Sequence, residues 1–310
     1  MGKILITPRS FSRYGENAIG FMQSKGYEVV VNRTGKPYSY KEFCHLASDA
    51  DGIILGVDTV DEYMLTRAIK LKGISRFGVG IDNIDVKTAN HLGIKIARAI
   101  GGNSTSVAEL AVGFFFTLSR DIVTNVNEVK EGKWNKSSGQ ELRNKTVGVL
   151  GLGAIGKEMC RISQGIGMKV IGYDPFVNEK EVKEKYNMEM KSFEEVLQES
   201  DFITLHMPLT DETKNLINKD TLRLMKPTAY LINTARGGLV NEDDLYDALT
   251  EKVIAGAAED VFSSEPPAKD EKLLKLDNFL LSSHIASLTV NAEIKTIQIA
   301  TDNLLKILEE

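Results

Sequence analysis

The stretch Lys145–Pro175, K-T-V-G-V-L-G-L-G-A-I-G-K-E-M-C-R-I-S-Q-G-I-G-M-K-V-I-G-Y-D-P, leaves this chain the least freedom in how it folds. It opens on an apolar β-run, Thr146–Leu150. Gly151, Gly153 and Gly156 follow at G-x-G-x-x-G spacing. A helical pattern then sets Ile155, Met159, Ile162 and Ile166 on one face, and a second β-run, Lys169–Tyr173, ends in Asp174. Strand, glycine turn, helix, strand and acid in that order predict a dinucleotide grip.

Each position has a physical job. Gly151 permits a tight turn, Gly153 lets a pyrophosphate approach the backbone, and Gly156 lets helix and strand pack closely. The helix start offers unpaired N–H groups and a positive dipole end to phosphate. Asp174 can accept two hydrogen bonds from the adenosine ribose diol and would repel a 2′-phosphate. NAD is therefore expected over NADP. A lone glycine motif is weak; here its strand, helix and acid are all present.

The chain has 310 residues, which favours two domains over one core. Its net charge of −5 indicates no broad basic surface for nucleic acid. The start, Met1–Pro8, lacks the long apolar core of a signal peptide, and the apolar run Ala111–Phe116 is too short to span a bilayer. The only cysteines are Cys44 and Cys160, which cannot make a disulfide framework. A cytoplasmic protein with no membrane or nucleic-acid partner is expected. No His, Cys or carboxylate cluster has metal-ligand spacing, so no metal is expected.

Strand and helix signals alternate along the first hundred residues: strands at Lys3–Thr7, Glu28–Asn32, Gly52–Leu55, Ile74–Val79 and Ile94–Ala97, with helices at Asn17–Lys25, Tyr40–Ala47 and Asp61–Leu71. This predicts a small parallel sheet covered on both faces. Ser106 and Glu109 have capping-box spacing ahead of an apolar helix that runs to Leu118. After the glycine motif, strands are expected at Phe202–Leu205, Ala229–Asn233, Ile254–Ala257 and Phe279–Leu281. Helices are expected at Phe193–Gln198, Thr221–Met225 and Glu242–Thr250, and Thr289–Leu308 reads as a terminal helix. The fold class is α/β in two domains. A doubly wound parallel-sheet Rossmann domain spans 100–286, and a smaller flavodoxin-like substrate domain combines 1–99 with 287–310.

Three later stretches place chemistry-bearing side chains just past strands, where open α/β sheets bind ligands. Leu231–Val240 delivers Arg236 beside two glycines. Gly256–Pro267 delivers Asp260 and Glu265, and Phe279–Thr289 delivers His284. Singly, each is more often an ordinary turn residue. Jointly, with the glycine motif, they favour catalysis. His45 and His91 read as surface helix residues, and His206 is assigned no proton transfer.

With these residues in view, the chain resembles the D-isomer-specific 2-hydroxyacid dehydrogenase family, in its phosphoglycerate dehydrogenase-like branch. The motifs Gly78–Asp85, Gly102–Leu110, Gly151–Gly156, Leu205–Leu209, Leu231–Val240, Asp260–Pro267 and His284–Thr289 match in order over nearly the full length. The resemblance implies an NAD-dependent enzyme that interconverts a D-2-hydroxy acid and its 2-oxo acid by hydride transfer. Arg236, Glu265 and His284 would be the catalytic trio. His284 would move the proton, as imidazole can near neutral pH. Glu265 would orient it, and Arg236 would grip the substrate carboxylate and carbonyl.

The resemblance also implicates Val79 and Gly80 in substrate binding through their N–H groups. Ala154, Ile155, Thr234, Ala235 and Asp260 join Gly151, Gly153, Gly156, Asp174, Arg236 and His284 at the cofactor, with Asp260 accepting from the nicotinamide amide. Asn103 and Ser104 would stand at a hinge. The helix near 105–120 and the Trp134 segment resemble the family's dimerisation elements, so a homodimer is implied.

Departures from the family pattern are Glu259, where an apolar residue is usual, Ser283 for proline and Ala286 for glycine. The turn Leu55–Asp58, L-G-V-D, carries Asp58 where phosphoglycerate-specific members tend to place an arginine. Arg9 or Arg98 could substitute. The substrate thus stays open between 3-phosphoglycerate and a hydroxypyruvate- or glyoxylate-like acid. An NADH-sensing, corepressor-like binding protein with little turnover is the alternative; a formate-directed relative fits the 55–58 and 78–85 pattern less well.

Overall fold

The computed structural model describes residues 2–310. Two compact units emerge. One takes the N-terminal segment through Asn103 and returns with Leu288–Glu310, and the other is Ser104–Ser287. The sequence reading put the changeovers at 99/100 and 286/287; the compact units change over at 103/104 and 287/288.

The first unit holds strands β1 (Lys3–Ile6), β2 (Glu28–Val31), β3 (Gly52–Leu55), β4 (Gly73–Arg76) and β5 (Lys95–Arg98). They form one parallel sheet in the order β2-β1-β3-β4-β5. This is the flavodoxin-like order, whose switch point lies between β1 and β3. Central strands are apolar because both faces are covered. One face packs Leu5, Ile53 and Leu55 against Phe43, Met64 and Leu65. The other packs Ile4, Ile6 and Ile54 against Phe11, Met22, Ile297 and Leu304. The last two belong to the helix Val290–Glu309, so both ends of the unit's chain complete one core.

The second unit continues with β6 (Thr146–Leu150), β7 (Lys169–Tyr173), β8 (Glu189–Met190), β9 (Phe202–Leu205), β10 (Tyr230–Asn233), β11 (Gly256–Glu259) and β12 (Phe279–Leu281). Their order, β12-β11-β10-β9-β6-β7-β8, is wholly parallel. It is the doubly wound Rossmann arrangement, with its switch point between β6 and β9. The helices Ser104–Ser119 and Ala154–Ile166 cover one face through Phe115, Met159 and Cys160. Leu197, Leu222, Leu245 and Leu249 cover the other.

Four local expectations are corrected. The pair Ser106 and Glu109 does not cap a helix; the helix begins at Ser104, and the Ser106 hydroxyl donates to Ala286 O at 2.6 Å. The helix expected over Asp61–Leu71 is only Glu62–Arg67, with the Asp61 carboxylate capping Met64 N–H at 2.9 Å. The strand expected to reach Val79 stops at Arg76, whose guanidinium turns back onto Phe77 O at 2.7 Å. The strand expected over Ile254–Ala257 runs instead from Gly256 to Glu259, which buries Glu259 inside the sheet.

Candidate active site

The glycine turn sits at the carboxyl end of β6. Gly151 has φ +95°, a left-handed conformation, and a Cβ there would lie 2.7 Å from His206 O. A Cβ on Gly156 would lie 2.0 Å from Gly151 O, so the helix starts pressed against the turn. Gly153 opens the helix Ala154–Ile166 without a side-chain cap, and a Cβ there would meet nothing within 4 Å. The first helical N–H groups therefore face open space at the switch point.

Asp174 ends β7. Its Oδ2 accepts from Leu152 N–H at 2.8 Å and its Oδ1 from Phe176 N–H at 2.9 Å. The carboxylate is held beside the glycine turn and keeps spare lone pairs for a diol. Thr234, just past β10, has a buried hydroxyl oxygen with no hydrogen-bond partner among the described residues. An open helix start, a fixed carboxylate and an unpartnered hydroxyl at carboxyl ends of one sheet fit a dinucleotide.

Arg236 follows Thr234 and Ala235 in a tight turn. The Asn233 amide controls it: Oδ1 accepts from Ala235 N–H at 3.1 Å, while Nδ2 donates to Arg236 O at 2.9 Å. Arg236 Nη1 donates to Ala235 O at 2.7 Å. A Cβ on Gly237 would fall 2.0 Å from Phe262 O, so this turn rests directly on the segment leading to Glu265.

His284 and Glu265 meet. Nδ1 of the imidazole lies 2.8 Å from Glu265 Oε2, and Oε1 of the same carboxylate accepts from Phe262 N–H at 3.0 Å. Glu265 is thus pinned on one oxygen and grips the histidine with the other. That leaves Nε2 for a reacting oxygen. Both side chains stay substantially exposed, at 49% and 40%.

His284 has φ +55°, in the left-handed region. The reason is Asp260. Its Oδ1 accepts from Ile285 N–H at 2.9 Å and from the Ser282 hydroxyl, and its Oδ2 accepts from Ala286 N–H at 2.7 Å. Successive N–H groups wrapped around an anion form a nest, which needs a left-handed residue at its edge. Asp260 is 1% exposed, so three donors compensate its burial.

His206 stands apart from this pair. Burial pushes its pKa down to about 3, and Nε2 lies 2.9 Å from the Thr204 hydroxyl. Its neutral form is therefore favoured. Among the described residues, no group of three or more His, Cys, Asp or Glu is arranged to hold a metal ion. No helix among them is long and apolar enough to cross a membrane.

In the first unit, Val79 and Gly80 lie in the turn after β4 and are partly exposed. The Leu55–Asp58 turn lies at that sheet's switch point, tied by Gly56 N–H to the Thr7 hydroxyl at 2.8 Å. Val57 is 65% exposed, whereas Asp58 is 8% exposed. Arg9 and Arg98 are both exposed, and Arg9 together with Arg13 acts on the half-buried Glu293. Asn103 Oδ1 and Ser104 Oγ are buried without a partner among the described residues.

A sequence model of the D-isomer specific 2-hydroxyacid dehydrogenase NAD binding domain matches residues 112–286. The chain belongs to that family. Its second unit is the family's NAD-binding domain. The chain is 40% identical to D-3-phosphoglycerate dehydrogenase of Archaeoglobus fulgidus over 93% of its own length. It spans only 55% of that relative and 58% of the Methanocaldococcus jannaschii enzyme of the same name. It is also 40% identical to hydroxypyruvate reductase of Thermotoga maritima, covering 91% of this chain and 94% of the relative. The crystal structure of D-lactate dehydrogenase with NAD+ from Lactobacillus jensenii superposes with a TM-score of 0.81 at 27% identity, covering 100% and 97% of the two chains.

For this member of the dehydrogenase family, sequence reasoning missed three supporting residues. Arg76 ends β4 as a lone charge on an apolar strand, the same signal that exposed Arg236, and it closes the turn that leads to Val79. Asn83 Nδ2 donates to Asp58 O at 2.7 Å and Gly56 O at 3.2 Å, fixing the 55–58 turn. Asn233 organises the Arg236 turn. The two asparagines gave no usable signal, because their partners lie on other segments or in the backbone.

Proposed function

We propose that the protein is an NAD-dependent oxidoreductase that interconverts a D-2-hydroxy acid and its 2-oxo acid. The observation that carries this reading is the Glu265–His284 pair, closed at 2.8 Å at the same end of the sheet as Arg236. Bound NAD supplies the hydride acceptor or donor. His284 gives its Nε2 proton to the carbonyl oxygen in reduction and takes it back in oxidation. Glu265 fixes the ring and balances the imidazolium charge. Arg236 grips the substrate carboxylate and polarises the carbonyl. The N–H groups of Val79 and Gly80 are the substrate-binding groups assigned to the first unit. Ala154, Ile155, Thr234, Ala235 and Asp260 line the cofactor. The absence of an arginine from the 55–58 turn, where Val57 is exposed and Asp58 buried, favours a hydroxypyruvate- or glyoxylate-like acid over a phosphorylated one.

A cytoplasmic homodimer is part of the same reading. The helix Ile122–Lys130 has no buried residue, and Ile122, Val123, Val126 and Val129 are each 43–45% exposed. Nearby in sequence, Trp134 is 79% exposed. Apolar side chains so placed favour a second copy as cover.

The test is reduction of glyoxylate, hydroxypyruvate, pyruvate, 2-oxoglutarate and 3-phosphohydroxypyruvate, each with NADH and NADPH. Steady turnover of one acid with NADH is expected. NADH binding with no turnover of any acid would favour the corepressor-like alternative.

A further inference from the structure

Glu259 has no part in the chemistry above, yet it lies directly beneath it. It ends β11, is 1% exposed, and pairs in register with Asn233 of β10 and Leu281 of β12. Its Oε1 accepts from Asn233 Nδ2 at 3.2 Å. That nitrogen also donates to Arg236 O at 2.9 Å, and the amide oxygen takes Ala235 N–H. One amide thus ties a buried carboxyl to the backbone that presents Arg236.

We propose that Glu259 is a positioning residue for Arg236, acting through the Asn233 amide, and that it must carry its proton for the Arg236 turn to hold its shape. This rests on the reading of Arg236 as the group that grips the substrate carboxylate.

Three observations support it. A buried carboxyl with a single neutral hydrogen-bond partner is far better accommodated protonated than ionised. Burial pushes its pKa up to about 8, the Asn233 N–H pulls the other way, and the Glu242 carboxylate on the helix Glu242–Thr250 raises it further. The carboxylates that follow it in the chain, and the one on the helix Glu242–Thr250, are hydrogen-bonded to other groups. Asp260 is wrapped by the 282–286 loop, Glu265 holds His284, and Glu242 also takes the N–H and hydroxyl of Ser263 at 2.7 Å each. The register partners, Asn233 and Leu281, carry no ionisable group. An ionised Glu259 would draw the shared Asn233 nitrogen toward β11 and away from Arg236 O. The turn would then lose the bond that fixes it.

The direction of catalysis separates this effect from the histidine. In hydroxy-acid oxidation His284 must be unprotonated, so its limb falls on the acid side of the pH profile. A limb from Glu259 falls on the alkaline side. With NAD and the best D-2-hydroxy acid, wild-type kcat/KM should fall about tenfold from pH 8 to pH 9.5, through a rise in KM for the acid. Glu259→Gln keeps the acceptor but cannot ionise. It should stay within about twofold of its own pH 8 value over that range, and within about twofold of wild type at pH 7. An identical alkaline fall in both proteins would overturn the proposal.

If the wild type turns over no acid at all, the reaction assignment fails and the positioning claim is decided separately. Crystal structures of the wild-type protein at pH 6.5 and pH 9.5 then serve, as they do if the variant misfolds. An Asn233 Nδ2–Arg236 O contact that opens at the higher pH supports it; an unmoved turn overturns it.

Discussion

The glycine turn at 151–156 and the histidine loop at 282–286 both present groups at carboxyl ends of the second sheet, but they are built in opposite ways. The turn is local and made of backbone. Its shape follows from missing side chains, as the 2.0 Å from a Gly156 Cβ to Gly151 O makes plain. The loop is held from a distance by two carboxylates, Asp260 and Glu265, which lie 24 and 19 positions upstream of His284. A surface made by omission should fail through bulk. A surface made by charge should fail through loss of an acceptor.

Removing the proposed proton carrier tests the loop most severely. His284→Ala should lower kcat by about 10³-fold while the Kd for NADH, measured by fluorescence titration, stays within about twofold. Unchanged turnover would end the assigned role. Asp260→Ala leaves three donors without their acceptor and frees His284 from its left-handed backbone. A drop in kcat of about 10²-fold is expected, together with a loss of about 2–3 kcal/mol in thermal or denaturant unfolding. Activity retained with that stability loss would show the loop needs no such anchor.

The turn should respond differently. Gly156→Ala should weaken NADH by about tenfold or more, since the helix must move off the turn, yet leave the Glu265–His284 contact intact in a crystal structure. Asp174→Ala is milder. NADH should weaken about fivefold and discrimination against NADPH should relax. If that preference did not move, the ribose-diol argument would be wrong.

The smallest effect concerns stability. Glu259 has its folded pKa raised to about 8 from an ordinary 4.5. Its stabilising share is therefore complete below pH 4.5 and is lost as pH rises through 8. Glu259→Gln should match wild type near pH 4.5 and melt about 3–5 °C higher at pH 8, read by calorimetry. Equal melting temperatures at both pH values would place the proton elsewhere.

The same contrast explains what the sequence disclosed. The G-x-G-x-x-G turn, its strands and Asp174 are contiguous, so spacing alone located them. Arg236, Glu265 and His284 were visible as polar residues just past apolar strands, because a parallel sheet delivers such positions to one end. The nest that Asp260 makes for Ile285 and Ala286 was not visible, since backbone N–H groups leave no trace in residue identity. Glu259 was noticed as out of pattern, but its burial depended on where β11 ended. Short apolar runs set such boundaries poorly, and a shift of two residues moved a glutamate from loop to core. Ser106 shows the reverse error: its spacing to Glu109 looked like a cap, yet its hydroxyl was needed by the Ala286 carbonyl.

The first unit closes its core with Ile297 and Leu304, some 240 to 300 residues after Ile4, Ile6 and Ile54, which they cover. During synthesis one face of that sheet therefore stays partly uncovered until they emerge. The continuous stretch Ser104–Ser287 emerges whole and can settle first, inverting the usual order in which N-terminal domains mature ahead of later ones. Ribosome-bound intermediates would then carry a finished nucleotide fold tethered to an apolar sheet with one face only partly covered, by Phe11 and Met22, a natural client for a holdase.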